Sequence, residues 1–101
     1  MLHVTLRQLQ VFEAVARHLS FSRAAEELHL TQPAVSMQIK QLEESVGLPL
    51  FEQIGKKIFL TDAGNEVYHY SRSIAQQLAE AEAVLGEMKG LKRGKLNISV
   101  V

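Results

Sequence analysis

The chain has 101 residues, 11 Lys and Arg against 11 Asp and Glu, and no Cys. That length allows one small domain at roughly 150 residues per domain, and the lack of Cys excludes disulfides and thiolate metal sites. An apolar share of 47% and a charged share of 22% speak against disorder, no apolar run approaches the ~18 residues needed to cross a bilayer, and MLHVTLRQLQ has an Arg and two Gln where a secretory leader has its apolar core, so a cytoplasmic protein that does not engage a membrane is expected.

The apolar pattern predicts a compact head to about residue 60, a long helix, and a short tail. Thr5-Leu6-Arg7-Gln8 fits a capping box, in which the Thr hydroxyl accepts the Gln8 N–H and Gln8 reaches back to Thr5. Leu6, Leu9, Phe12, Val15 and Ala16 follow at helical spacing. Ser22 is expected to cap a short second helix, with Ala24, Ala25 and Leu28 on its inner side. Thr31 caps a third, with Pro33 in the first turn, where its missing N–H costs nothing. Val35, Ile39 and Leu42 form the buried stripe of that helix, and Gly47 ends it. The connection His29-Leu30-Thr31 has the length of the turn in a helix-turn-helix. Leu50–Ile54 and Lys57–Leu60 are β-prone around Gly55-Lys56, which predicts a two-stranded hairpin.

Thr61 is expected to cap the longest element, a helix from Asp62 to about Gly90 of ~43 Å. Val67, Ser71, Ile74, Leu78, Ala81, Leu85 and Met88 follow an a/d heptad series, so pairing with a second chain is expected along that seam. Gly90 to Gly94 is expected as a basic, flexible break. Lys95 to Val101 alternates polar and apolar and is expected as a strand, the first of a further domain.

These elements make a mainly α fold: a winged helix-turn-helix head with a two-stranded wing, then a long dimerising linker helix. The division is residues 1–60 for the head, 61–90 for the linker helix, and 91–101 for hinge and first strand. Such a head reads double-stranded DNA with the N-terminal residues of its third helix. Here these are Thr31, Gln32, Pro33, Ala34, Ser36 and Met37. Gln bonds adenine in a bidentate manner, Ser and Thr donate or accept, and Ala or a Thr methyl suits the thymine methyl. Lys40 on the same helix, Arg23 on the second helix, and Lys56 and Lys57 in the wing supply positive charge, and residues 31–42 contain no acid. Yet six Lys and Arg balance six Asp and Glu over residues 1–60, which predicts few phosphate contacts per head and a dependence on dimerisation.

Taken alone, Gln32 and Ser36 are ordinary exposed helix polarity, Pro33 a helix starter, and Lys56-Lys57 solvated turn residues; the surrounding pattern gives them a DNA role. The four His, at 3, 18, 29 and 69, have no i, i+4 pairing and no Cys partners, so no metal site is expected. No catalytic arrangement and no phosphate-binding Gly loop is present, so the chain is not read as an enzyme. The alternative function is a winged-helix module that docks on another protein.

The series Leu6-Arg7-Gln8-Leu9, Ser20-Phe21-Ser22-Arg23-Ala24-Ala25, Thr31-Gln32-Pro33-Ala34-Val35-Ser36, Gly47-Leu48-Pro49-Leu50-Phe51 and Leu60-Thr61-Asp62-Ala63-Gly64 resembles the LysR-type transcriptional regulators over nearly the whole chain. The resemblance implies a winged helix-turn-helix, a linker helix that pairs two subunits, and a following periplasmic-binding-protein-like domain for a small effector, with no cofactor in this part. It also implies an interrupted T…A palindrome as target, a homodimer that assembles to a tetramer in the full-length protein, and RNA polymerase as a further candidate partner. Many members carry Arg or Lys at the position of Met37 and Arg at the position of Gln53; here Lys40, Lys56 and Lys57 are expected to take over part of that role. Leu50 to Ile58 is similar to the branch that controls carbon-fixation (RuBisCO) operons.

Overall fold

The computed structural model describes the backbone of residues 3–98 and the side chains of residues 3–90. The order is α1 (Leu6–His18), α2 (Phe21–Leu28), α3 (Gln32–Val46), β1 (Phe51–Ile54), β2 (Lys57–Leu60) and α4 (Asp62–Ile98). The capping box forms as the sequence predicts: Gln8 N–H donates to Thr5 Oγ1, and Thr5 N–H donates to Gln8 Oε1, both at 3.1 Å.

The cap of α2 is Ser20, not Ser22. Ser20 Oγ accepts the Arg23 N–H at 3.1 Å. Leu19, in the left-handed region at φ 49, turns the chain out of α1 so sharply that only Ser20 remains before the next helix. Starting α2 at Phe21 sets that ring against Phe51 of the wing, with centroids 5.8 Å apart.

Phe12, Val11, Val15, Val35, Leu42 and Leu50 are fully buried and form the centre of the head, where α1, α2, α3 and the base of the wing meet. Phe12 also packs on Phe51 at 5.2 Å, which ties the wing to α1. The wing is antiparallel, with Phe51 opposite Leu60 and Ile54 opposite Lys57. Thr61 joins it to α4: its N–H donates to Leu50 O, its hydroxyl donates to Pro49 O at 2.7 Å, and its Oγ1 accepts the Gly64 N–H at 2.9 Å. α4 passes so close to the residue before β1 that a Cβ at Gly64 would collide with the Leu50 carbonyl oxygen.

Two expectations for the long helix are corrected. No break occurs at 90–94 and no strand at 95–98, because α4 continues to Ile98; residues 99–101 of the expected strand lie outside the described residues. A lone strand would leave its backbone N–H and C=O groups without partners, whereas a helix satisfies them internally. Gly90 and Gly94 weaken it by only about 1 kcal/mol each. The heptad stripe is also not one uniform seam for a second chain. Val67 packs on the head's own core and Ser71 is buried, because the outer face of α1 needs covering and the first turns of α4 lie across it. Leu78, Ala81, Leu85 and Met88 are exposed, with Ile74 at the transition.

Candidate nucleic-acid interface

α3 is placed by the turn that precedes it. His29 adopts the left-handed conformation at φ 57 and ψ 40. Its N–H and that of Leu30 fold back on the carbonyls of Ala25 and Glu26, Leu30 N–H donating to Ala25 O at 2.9 Å. Thr31 then caps α3 by accepting the Ala34 N–H at 3.2 Å. Thr31 Oγ1 thereby accepts in the cap, and its hydroxyl proton and methyl group remain for a partner.

Val35, Ile39 and Leu42 are buried against α1 and α2. The opposite side of α3 therefore faces solvent, carrying Gln32, Pro33, Ser36, Met37 and Lys40, all exposed. Met37 is 61% exposed, which marks it as a surface residue despite its apolar side chain. Ala34 is half-buried.

The wing completes the other wall. Gly55, at φ 65, makes the tight turn, and Gln53 Nε2 donates to Gly55 O at 3.2 Å. Between wing and helices lies a groove of about 530 Å³ lined by Ser22, Gln32, Lys56 and Lys57 among others, and by no acidic residue. The structure thus brings Gln32 together with both wing lysines, residues 24 and 25 positions apart in the chain. It does not bring the other basic candidates there. Lys40 borders a shallow depression shared with Glu43 and Glu44. Arg23 is exposed on α2, and Gln53 is occupied with the turn.

Three of the head's six acids, Glu13, Glu27 and Glu43, are engaged away from this groove. Glu43 accepts the Leu50 N–H at 2.7 Å and so fastens α3 to the wing. Arg17 donates to Glu13 on its own helix at 2.9 Å and to Glu27 on α2 at 2.7 Å, while His18 Nε2 lies 2.7 Å from Glu27. The hydrogen bonds from Arg17, and next that of His18, hold the Glu27 carboxyl well below the usual range, at about 2. The same bonds, from Glu27 and then Glu13, push the Arg17 guanidinium further up. A neutral head therefore has a polar, lysine-lined groove on one side and its paired acids on another.

Ser22 is the groove residue that sequence reasoning missed. Its hydroxyl donates to Gln32 Oε1 at 3.1 Å. A role as helix cap hid it; the contact depends on the turn geometry that brings the starts of α2 and α3 together.

The comparisons agree with this geometry. The family described as bacterial regulatory helix-turn-helix protein, lysR family, matches residues 6–65. The chain is 65% identical over 99 residues to a RuBisCO operon transcriptional regulator of Allochromatium vinosum, covering 98% of this chain and 33% of that protein. It is 50% identical over 99 residues to the protein of the same description in Acidithiobacillus ferrooxidans, covering 98% of this chain and 32% of that one. The chain thus spans about a third of the length of these curated relatives. Among solved structures, the BenM DNA-binding domain in complex with catB site 1 DNA superposes with a TM-score of 0.82 at 30% identity, over 85% of this chain and 96% of that one.

Proposed function

The chain belongs to the lysR family of bacterial regulatory helix-turn-helix proteins, and from that premise we propose that it is the DNA-reading and pairing part of a dimeric transcription regulator acting in the cytoplasm. α3 enters the major groove with Thr31, Gln32, Pro33, Ala34, Ser36 and Met37 toward the bases. Lys56 and Lys57 approach the phosphates beside it; Arg23, Lys40 and Gln53 are outlying contacts. The target is an interrupted T…A palindrome, and the exposed stripe from Leu78 to Met88 pairs two chains so that both half-sites are occupied. The effector domain, tetramer assembly and contact with RNA polymerase belong to a full-length protein. Control of a carbon-fixation operon rests on the relatives that carry that description.

The observation that carries the reading is the acid-free groove in which Gln32 at the start of α3 faces Lys56 and Lys57 of the wing. A titration against a T…A palindrome and a scrambled duplex at two salt concentrations tests it. Gln32→Ala is expected to weaken specific binding far more than non-specific binding. Lys57→Ala is expected to weaken both and to lower the salt slope by about 1. Binding that ignores sequence or salt would sink the proposal in favour of a protein-docking module.

A further inference from the structure

We propose that Ser22 is a positioning residue for base reading, which holds the carbonyl end of the Gln32 carboxamide against α2 and leaves the amino end for DNA. The inference rests on the DNA-reading role proposed above. Ser22 and Gln32 lie ten residues apart and meet because the turn at His29-Leu30-Thr31 brings the start of α3 beside the start of α2. Ser20 caps α2, so the Ser22 hydroxyl is not needed by the helix and donates to Gln32 Oε1 at 3.1 Å. Gln32 Nε2 makes no hydrogen bond among the described residues. Both side chains line the groove that Lys56 and Lys57 complete.

The chemistry follows from the polarity of the amide. An unrestrained Gln pairs with adenine by donating to N7 and accepting from the N6 amino group, which requires both ends of the amide along one base edge. With Oε1 turned to Ser22, the amino end meets acceptors only: guanine O6 and N7, adenine N7 alone, or thymine O4. The adenine contact is then single, and the N6 amino group contributes nothing to it. Ser22 thereby sets what Gln32 recognises without touching DNA through its own hydroxyl.

The test uses the chain and synthetic duplexes of the T…A palindrome in anisotropy titrations. Gln32→Ala first identifies the base pair that Gln32 reads, as the position where replacing adenine by 7-deazaadenine, which lacks N7, ceases to matter. The adenine there is then replaced by purine, which lacks the N6 amino group, and each affinity is compared with that of Gln32→Ala on the same duplex. For the wild type, deletion of N6 is expected to change the affinity less than twofold. For Ser22→Ala, whose Gln32 is free to turn, it is expected to weaken binding about fivefold, the worth of one hydrogen bond. Ser22→Thr, which keeps the hydroxyl, is expected to match the wild type. Base preferences at other positions are expected to stay unchanged in Ser22→Ala, which a general weakening of the fold would not reproduce. A wild type that loses about fivefold on deletion of N6, or a Ser22→Ala that loses nothing, overturns the role of Ser22 while sequence reading stands. A wild type that binds every duplex equally overturns sequence reading and this inference with it.

Discussion

In the head, Val11, Phe12, Val15, Val35, Leu42 and Leu50 have 0% of their surface exposed, whereas on α4 Val84, Leu85 and Met88 stand 55%, 57% and 59% exposed. The residue types are alike; what differs is whether the same chain supplies a second surface. Three helices and a hairpin close around Phe12, while beyond Leu78 the described residues of α4, 79–90, are all exposed. The difference teaches that the chain holds two kinds of apolar surface, one that folds the head and one left exposed, which the proposed pairing would cover. The boundary runs through the heptad stripe, between Ser71, which is buried, and Leu78, which is 38% exposed.

The largest effect expected from this contrast is in the head. Phe12→Ala removes a fully buried ring that touches Phe51 and is expected to cost about 3–5 kcal/mol. In so small a domain that is most of the stability. Urea unfolding is expected to show the loss at every protein concentration. Leu85→Asp tests the other surface. It is expected to leave the unfolding free energy of the dilute chain within about 0.5 kcal/mol while weakening association at least tenfold by placing a charge in the seam. Sedimentation across a concentration series measures the second effect. A Leu85→Asp chain that associates like the wild type would erase the contrast, and so would one that unfolds like Phe12→Ala.

A smaller effect separates two of the four left-handed residues among the described residues of the head. Gly47 holds that conformation at the end of α3 at φ 84, and His29 holds it at the end of α2 at φ 57. His29 bears the Cβ penalty of the left-handed region, which Gly does not. His29→Gly is expected to raise stability by about 0.5–1 kcal/mol, the greater chain entropy of Gly in the unfolded state taking back part of the relief. A thermal midpoint that falls would show that the exposed imidazole contributes more than its backbone strain removes.

Much of the head was legible in the sequence because its signals are local. Thr5, Thr31 and Thr61 sit directly before the helices that they cap, and Gly55 marks the wing turn between two β-prone runs. What escaped depends on contacts distant in the chain. Ser20 rather than Ser22 caps α2 because Leu19 turns and Phe21 packs on Phe51. The bond from Ser22 to Gln32 and the ion pair from Arg17 to Glu27 each join residues ten positions apart. Along α4, heptad spacing is the same whether the stripe covers its own head or another chain, so spacing alone could not locate the division. The helix passes Gly90 and Gly94 because glycine weakens a helix without forbidding it, and alternation alone does not supply a strand with a partner.

The Arg17 cluster lies next to that division. Glu27 borders the apolar depression between α1 and α4 together with Leu6, Leu9, Ile74 and Leu78, and it ties α1 to α2 through Arg17 and His18. Its folded pKa of about 2 lies below the unfolded 4.5. The carboxylate therefore contributes its stabilisation fully above about pH 4.5 and loses it as the pH falls toward 2. Glu27→Gln keeps the size of the side chain and removes the charge. The difference in urea midpoint between wild type and Glu27→Gln is expected to be greatest at neutral pH, to shrink between pH 4.5 and 2, and to be reduced by added salt because the cluster is exposed. A midpoint difference that stays constant across this range would mean that Glu27 acts through packing at the edge of the depression, and the charge cluster would then have no part in holding α1 to α2.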